Sequence, residues 1–463
     1  MRGPGDILVV SCYELGRQPV AAATALAELR RAGFRPAALD VSVEAADEAA
    51  LRCARLIAVS VPMHTALRLG VRVAQRAPPS AHVCFFGLYA ELNAQHLLER
   101  HAHSVIGGEA DVPLRLLAEA LERSDHPRDI PGLRTASGRS GDTLRNSSYR
   151  VPGSQKHAPA VPSRTGLPVL ERYARLQIGS EERLVAAVEA TRGCKHLCRH
   201  CPVVPVYRGR FVAVPRETVL ADVDQQIQAG AGHVTFGDPD FLNGPTHALR
   251  LVRELHARWP GVTFDATIKI EHLLEHRELL PELAECGCLF ITSAVESLND
   301  AVLSALRKGH TAADVPIALR LVRAAGIDLR PTLLPYTPWS ELGDVAALFD
   351  FAVEQDLIEQ IDPVQYTLRL LIPPGSAILD GDEPRPWLGR FEPDQFGWSW
   401  THPDPRVDEL WRASAALASA QAEAGAAPLE TFRKLRALAD PTPHDPPRRP
   451  SRKVPRLTEP WFC

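Results

Sequence analysis

Two series of short apolar runs, each run separated from the next by a stretch of helical period, organise the chain. The first series comprises Ile7 to Ser11, Ala37 to Val41, Leu56 to Val61, His82 to Phe86 and Ser104 to Ile106, with a helical segment near Ala21 to Ala32. Strand-length runs bounded by helices predict a parallel, doubly wound α/β sheet. From about Ser124 to Thr165 the composition turns to Pro, Ser, Gly and Arg with almost no aromatics, which predicts a linker. The second series starts at Val185 and continues with the runs His233 to Phe236, Thr263 to Ile268, Leu289 to Ser293, Ile327 to Leu334 and Val364 to Leu371. Six strands with intervening helices predict a partial (βα)6 barrel, whose chemistry belongs at the carboxyl ends of its strands. After Gly375 the pattern fades into a helical stretch from about Val407 to Ala437, a Pro- and Arg-rich run and the ending TEPWFC. The expected division is residues 1–123, a linker over 124–179, the barrel over 180–376, and a helical extension with a mobile tail over 377–463.

A chain of 463 residues exceeds the usual single domain, and 45% apolar residues supply substantial cores. The formal net charge of -4 provides no global basic field, so no nucleic-acid partner is expected. No apolar window reaches the length of a membrane span, and MRGPGDILVV runs straight into a strand rather than a signal peptide. A cytoplasmic protein with no membrane partner is the expectation. Nine cysteines, an odd number scattered over a long chain, do not resemble the disulfide framework of a small secreted domain. Reduced thiols and a metal site fit better.

Around the first barrel strand the sequence reads EATRGCKHLCRHCP, placing Cys194, Cys198 and Cys201 in a C-x3-C-x2-C pattern at a strand end. Three thiolates can hold three irons of a four-iron four-sulfur cubane and leave the fourth without a protein ligand. The competing reading of the same residues is a structural zinc site completed by His196 or His200, which would make the chain a non-catalytic metal binder. Cys286 and Cys288 read as buried, inert thiols or as partners for a mobile thiol, and Lys269 as a surface lysine or a polar contact in the barrel mouth.

The cysteine motif closely resembles the signature of the radical SAM superfamily, and the likeness extends over roughly residues 180 to 375. Membership implies that the open iron binds S-adenosylmethionine (SAM) and that one electron breaks a carbon–sulfur bond. His200 stands where the superfamily usually has an aromatic residue near the adenine. Phe236, Gly237, Asp238 and Asp240, in FGDPDF, resemble the second-strand motif that binds the SAM amino group. TSAVESLNDAVLSALRKGHT resembles the fourth-strand segment, which implies a SAM contact for Glu296 and a carboxylate-facing role for Lys308. A small-molecule substrate and an electron donor such as flavodoxin or ferredoxin follow from the same resemblance.

A flavodoxin-like domain before such a barrel is similar to the cobalamin-binding radical SAM class, so residues 1–123 are expected to form a cobalamin-binding-like Rossmann domain. Many domains of that class carry an Asp-x-His-x-x-Gly loop after the first strand; here the loop reads Ser11-Cys12-Tyr13-Glu14-Leu15-Gly16 and lacks the histidine. Two alternatives stay open: cobalamin binding without a histidine ligand, as in some methyltransferases, or a scaffold that has lost the cofactor. His64 and the segments FFGLYA and VIGGEAD lie at strand ends, where an open α/β sheet places its ligand.

Over nearly its full length the chain resembles a narrower group, the radical SAM proteins with a Cys-Sec-Ala-Glu-Pro or Cys-Cys-Ala-Glu-Pro tail. The matching segments are SCYELGRQP, SVPMHTA, FFGLYAELN, RGCKHLCRHCPVVPVYRGRF, TFGDPDFLNGPTHALR and EPWFC. The group continues past the position of Cys463 with selenocysteine or cysteine, so a TGA codon after Cys463 is the expectation. The Cys463 thiol, with a thiol or selenol following it, would then take part in catalysis, and the soft-ligand chemistry of the pair suits a metalloid acceptor such as trivalent arsenic, the alternative being a genuine terminal cysteine.

Overall fold

The computed structural model describes residues 1–125, 127, 130–136, 138–139, 159–382, 384–442 and 454–459. In the amino-terminal sheet five strands run parallel in the spatial order Ala37–Asp40, Ile7–Ser11, Leu56–Ser60, His82–Phe86, Ser104–Ile106. This is the expected doubly wound, flavodoxin-like order. Its central strands Ile7–Ser11 and Leu56–Ser60 are buried at every position because both faces are covered. Leu8 and Val10 enter one core while Ile7 and Val9 enter the other, which packs under the helices Val20–Arg31 and Asp111–Glu122.

The second sheet carries five parallel strands, in the order Asp328–Leu333, Cys288–Glu296, Thr263–Thr267, Ala231–Phe236, Glu181–Val188. Helices Arg216–Gln228, Pro245–Arg258, Asp314–Ala324 and Leu342–Glu354 accompany it. The sixth strand, expected over Val364 to Leu371, is reduced to a single parallel bridge between Tyr336 and Arg369, preceded by the 3-10 turn Pro363–Thr367. Asp362 and Pro363 open that turn, and the proline has no N–H to give to a ladder. The Arg369 guanidinium instead lies between the Trp400 and Trp411 rings, at 3.5 and 4.4 Å, and bonds Asp408 at 2.6 Å. That stack fixes the helix Pro405–Glu423 to the barrel.

Two boundaries differ from the sequence reading. The expected linker contains structure: Leu133–Thr135 and Gly138–Arg139 extend the first sheet antiparallel, and Arg175–Ile178 forms a hairpin with Glu181–Val188. Gly179, at φ 60°, makes that hairpin's turn, where a left-handed backbone favours glycine. The tail also differs from a free arm, because Arg456 and Leu457 pair with Gln177 and Leu176 at the sheet edge. An edge strand left open would present unpaired N–H and C=O groups. Cys463 lies outside the described residues.

Candidate active site

The cysteine loop leaves the first barrel strand through the short strand Thr191–Gly193 and carries Cys194, Cys198 and Cys201 at the carboxyl end of the barrel. Three groups hold this loop. Gly193 has φ 79°, and an added Cβ would come within 2.6 Å of Arg210 O. Asp238 accepts from Ala190 N at 2.9 Å, Thr191 N at 2.5 Å and Thr191 Oγ1 at 2.6 Å. Asn243 donates through Nδ2 to Gly193 O and accepts at Oδ1 from Lys195 N, both at 3.1 Å.

Burial pushes the Cys194 thiol up to about 12 and the Cys201 thiol up to about 11, so a bound cation must supply the charge that ionises them. Among the described residues, the only triples of ligand atoms lying within 4.8 Å of one another are His196/Asp240/His272 and His272/Glu275/His276. A single zinc about 2.3 Å from each cysteine sulfur would draw the three sulfurs to roughly 3.8 Å apart. The donor set of three thiols fits a four-iron cluster with one iron free of protein ligands.

Beside the loop, Glu296 Oε1 lies 3.1 Å from both His200 Nε2 and Lys308 Nζ. Burial alone would raise the Glu296 carboxyl, but Lys308 and His200 outweigh it and hold the group well below the usual carboxylate range. Burial likewise disfavours the Lys308 cation, yet Glu296 and the neighbouring Cys198 raise its pKa. Glu296 has φ 65°, in the left-handed region, where the register between the fourth and fifth barrel strands shifts. A non-glycine residue held there carries backbone strain. The structure thus brings together His200, Glu296, Lys308 and the cysteine loop.

The second-strand residues divide. The Phe236 ring packs into the core 4.6 Å from Phe241, leaving only its backbone for a ligand. Gly237, whose N–H bonds Val188 O at 2.7 Å, lines the cleft facing the amino-terminal domain. Asp238 braces the cysteine loop with both of its oxygens. Asp240 turns Oδ1 to Leu242 N and Oδ2 toward His272 Nδ1, 2.8 Å away.

Lys269 is buried and bonds Glu271 at 3.0 Å, so it is not a surface lysine. His196 lies 3.1 Å from His272, and burial together with Lys269 lowers its pKa to about 4, leaving the imidazole neutral. Cys288 begins the fourth strand at its amino end, opposite the mouth, and burial raises it well above the ordinary thiol range. His64 bonds Gln395 O at 2.6 Å on the outside of the first domain.

Sequence reasoning missed Asn243 and His272. Asn243 lies inside a quoted matching segment but was given no role, and His272 sits on the short helix Ile270–Glu275 with no motif around it. Thr191 and Arg192 were also missed. Arg192 reaches across to the first domain, bonding Glu109 at 2.9 Å and Asp111 at 2.7 Å while keeping Glu189 at 2.9 Å. Tyr207 adds a 2.7 Å bond to Glu109. These contacts face the carboxyl ends of the two sheets toward each other across a cavity of about 250 Å³ that opens to solvent. Leu15, Pro62, Met63 and Leu88 supply apolar walls, while Gly87 and Gly108 bring backbone to the surface at φ 107° and 69°. The buried Glu14 Oε1 and Arg17 Nε have no hydrogen-bond partner among the described residues. Tyr13, where an axial histidine would stand, bonds Glu459 instead.

A half-barrel with a three-cysteine loop at its mouth is the arrangement of a radical SAM domain. The profile of the Radical SAM superfamily matches residues 188–349. The chain thus carries a radical SAM domain over those residues, and such a domain implies a four-iron four-sulfur cluster and SAM as cofactors. It is 28% identical over 170 residues to the tRNA-2-methylthio-N(6)-dimethylallyladenosine synthase of Mannheimia succiniciproducens, covering 34% of this chain and 35% of that protein. The synthase of the same name from Pseudoalteromonas atlantica is 26% identical over 232 residues, 46% of each chain. The chain therefore spans between a third and a half of the length of these curated relatives.

Among solved structures it resembles the radical SAM methyltransferase TsrM of Kitasatospora setae with cobalamin and a [4Fe-4S] cluster bound. The TM-score is 0.66 at 18% identity, over 90% of this chain and 88% of that one. The cobalamin-dependent SAM radical enzyme OxsB with aqua-cobalamin bound gives a TM-score of 0.66 at 16% identity, over 88% of this chain and 66% of that one. At these identities the likeness is one of fold. No helix among the described residues is long and apolar enough to cross a membrane.

Proposed function

We propose that this enzyme reductively cleaves SAM in the barrel mouth and uses the resulting carbon radical to modify a small molecule. The observation that carries the reading is the convergence of the cysteine loop with the His200–Glu296–Lys308 cluster at the carboxyl ends of the barrel strands. When bound, a cluster with one open iron supplies the electron that breaks a carbon–sulfur bond of SAM. Cys194, Cys198 and Cys201 hold it, and Asp238 and Asn243 keep their loop in place. Lys308 offers a buried cation to the SAM carboxylate, Glu296 accepts hydrogen bonds from SAM, and the His200 backbone lies near the adenine. The backbone of Phe236 and Gly237 receives the amino group. An electron donor of the flavodoxin or ferredoxin type reduces the cluster.

The substrate reading is a small molecule rather than RNA. A net charge of -4 gives no field for a phosphate backbone, and the tRNA-modifying relatives match only part of the chain. The six segments quoted above further support membership of the Cys-Sec-Ala-Glu-Pro or Cys-Cys-Ala-Glu-Pro tail group, for which a trivalent metalloid is the acceptor we favour. Incubating reconstituted protein with SAM and a reductant, then separating 5'-deoxyadenosine from 5'-methylthioadenosine, tests the reading. The first product reports a 5'-deoxyadenosyl radical, the second a 3-amino-3-carboxypropyl radical, and neither would refute it.

The interdomain cavity favours a second reading, a cobalamin-dependent methyltransferase. Its apolar walls and exposed glycine backbone suit a corrin, while the pairing of Tyr13 with Glu459 leaves no axial ligand from that loop, so cobalamin would bind without one. Corrin absorbance after anaerobic reconstitution with cobalamin supports this reading, and a protein that retains none counts against it.

A further inference from the structure

A second group of metal-ligating side chains stands beside the cysteine loop and has no part in the scheme above. His196 comes from that loop, Asp240 from the turn after the second barrel strand, and His272 from the helix Ile270–Glu275. One ligand atom from each lies within 4.8 Å of the other two. His196 Nε2 is 3.1 Å from His272 Nε2 and 3.6 Å from Asp240 Oδ2, and Asp240 Oδ2 is 2.8 Å from His272 Nδ1. The Asp240 and His272 side chains are both 0% exposed.

Two features of this cluster are costly without a cation. Despite their short separation, Asp240 Oδ2 and His272 Nδ1 have no hydrogen-bond partner among the described residues. A buried carboxylate oxygen that lacks a well-directed donor recovers little of the hydration it gives up. In addition, the Nε2 atoms of two imidazoles face each other. Either one ring donates to the other, or both lone pairs converge on a shared cation. The Lys269 ammonium bonds Glu271 at 3.0 Å rather than Asp240.

We propose that His196, Asp240 and His272 bind one divalent transition-metal ion, zinc or ferrous iron, beside the cluster loop. Two imidazoles and one carboxylate suit these ions, whereas magnesium and calcium prefer all-oxygen shells. Three protein ligands leave a position for water or for an anionic group of the substrate. The assignment gives Asp240 to the metal and leaves the SAM amino group to the backbone of Phe236 and Gly237. The competing triple His272/Glu275/His276 shares one imidazole, but its Glu275 side chain is 56% exposed and already solvated.

The test uses full-length protein reconstituted anaerobically with iron and sulfide and dialysed against zinc. Metal analysis and zinc-edge X-ray absorption are the readouts. The expected result is one additional zinc per chain, with nitrogen and oxygen scatterers at about 2.0–2.1 Å and no sulfur shell near about 2.3 Å. H276A should keep this zinc, whereas D240N and H272A should each weaken it tenfold or more. A wild-type protein that binds no zinc, a zinc with a sulfur shell, or zinc retained in both D240N and H272A overturns the proposal. Iron and sulfide contents of the same samples report the cluster separately, so failure of the cluster reading and failure of this site give different results.

Discussion

Glu459 accepts a 2.8 Å hydrogen bond from the Tyr13 hydroxyl, joining residues 446 positions apart. The same carboxylate packs on Gly16, where an added Cβ would come within 2.5 Å of Oε2. With Arg456 and Leu457 paired to the Arg175–Ile178 strand, this contact anchors the carboxyl-terminal segment to the first loop of the amino-terminal sheet. A hydrogen bond to a charged group contributes about 1.5–3 kcal/mol when buried, less here because the pair is partly solvated. Y13F should therefore speed amide hydrogen exchange in Arg175–Ile178 without lowering global stability by more than about 1 kcal/mol. Exchange unchanged from wild type would show that the pair does not anchor the strand.

Glu14 gives a pH signature. Burial and the neighbouring Glu189 raise its carboxyl to about 8, so it stays protonated in the folded protein at neutral pH. Between the unfolded value near 4.3 and about 8 the folded state holds a proton that the unfolded state has released, so stability falls as pH rises through that window. E14Q keeps an acceptor for Val20 N and removes the titration. It should be more stable than wild type at pH 9, with the advantage shrinking toward pH 4, as measured by urea unfolding across pH. Parallel pH profiles would contradict this.

The Glu296–Lys308 pair is buried, so breaking it leaves a charge with neither water nor its principal partner. K308M should destabilise the protein by about 3–5 kcal/mol, and adding E296Q to it should recover much of that loss. Chemical denaturation of both variants checks the sign. A K308M variant as stable as wild type would mean that Glu296 is satisfied by His200 alone.

Gly193 is required for the shape of the cysteine loop. G193A forces a Cβ against Arg210 O from a left-handed backbone, at a cost of about 1–3 kcal/mol. Iron and sulfide per chain after reconstitution should fall, whereas alanine at Gly261, where an added Cβ meets nothing within 4 Å, should leave both unchanged.

Much of this was legible in the sequence because it depends on local pattern. Apolar strand runs gave both sheets, and the spacing of Cys194, Cys198 and Cys201 gave the cluster loop. Glu296 and Lys308 were found through a motif, and their 3.1 Å contact follows from adjacent loops of the barrel mouth. What escaped depends on long-range pairing. The sixth strand shrank to the Tyr336–Arg369 bridge because Pro363 has no N–H for a ladder and the chain turns as a 3-10 helix over Pro363–Thr367. The tail was read as mobile because nothing in Arg456 and Leu457 announces an edge strand some 280 residues away. Asp238 also accepts from Ala190 and Thr191, a bracing role visible only once the loop is folded. Lys269, read as a surface lysine, is buried by the turn that follows its own strand.

The most direct test is anaerobic reconstitution followed by product analysis on SAM. The account predicts about four irons and four sulfides per chain and a SAM-derived product, 5'-deoxyadenosine or 5'-methylthioadenosine, with both cluster and product lost in C198A. Zinc at the three cysteines without iron or sulfide, or an intact cluster that releases neither product under reductant, would contradict it.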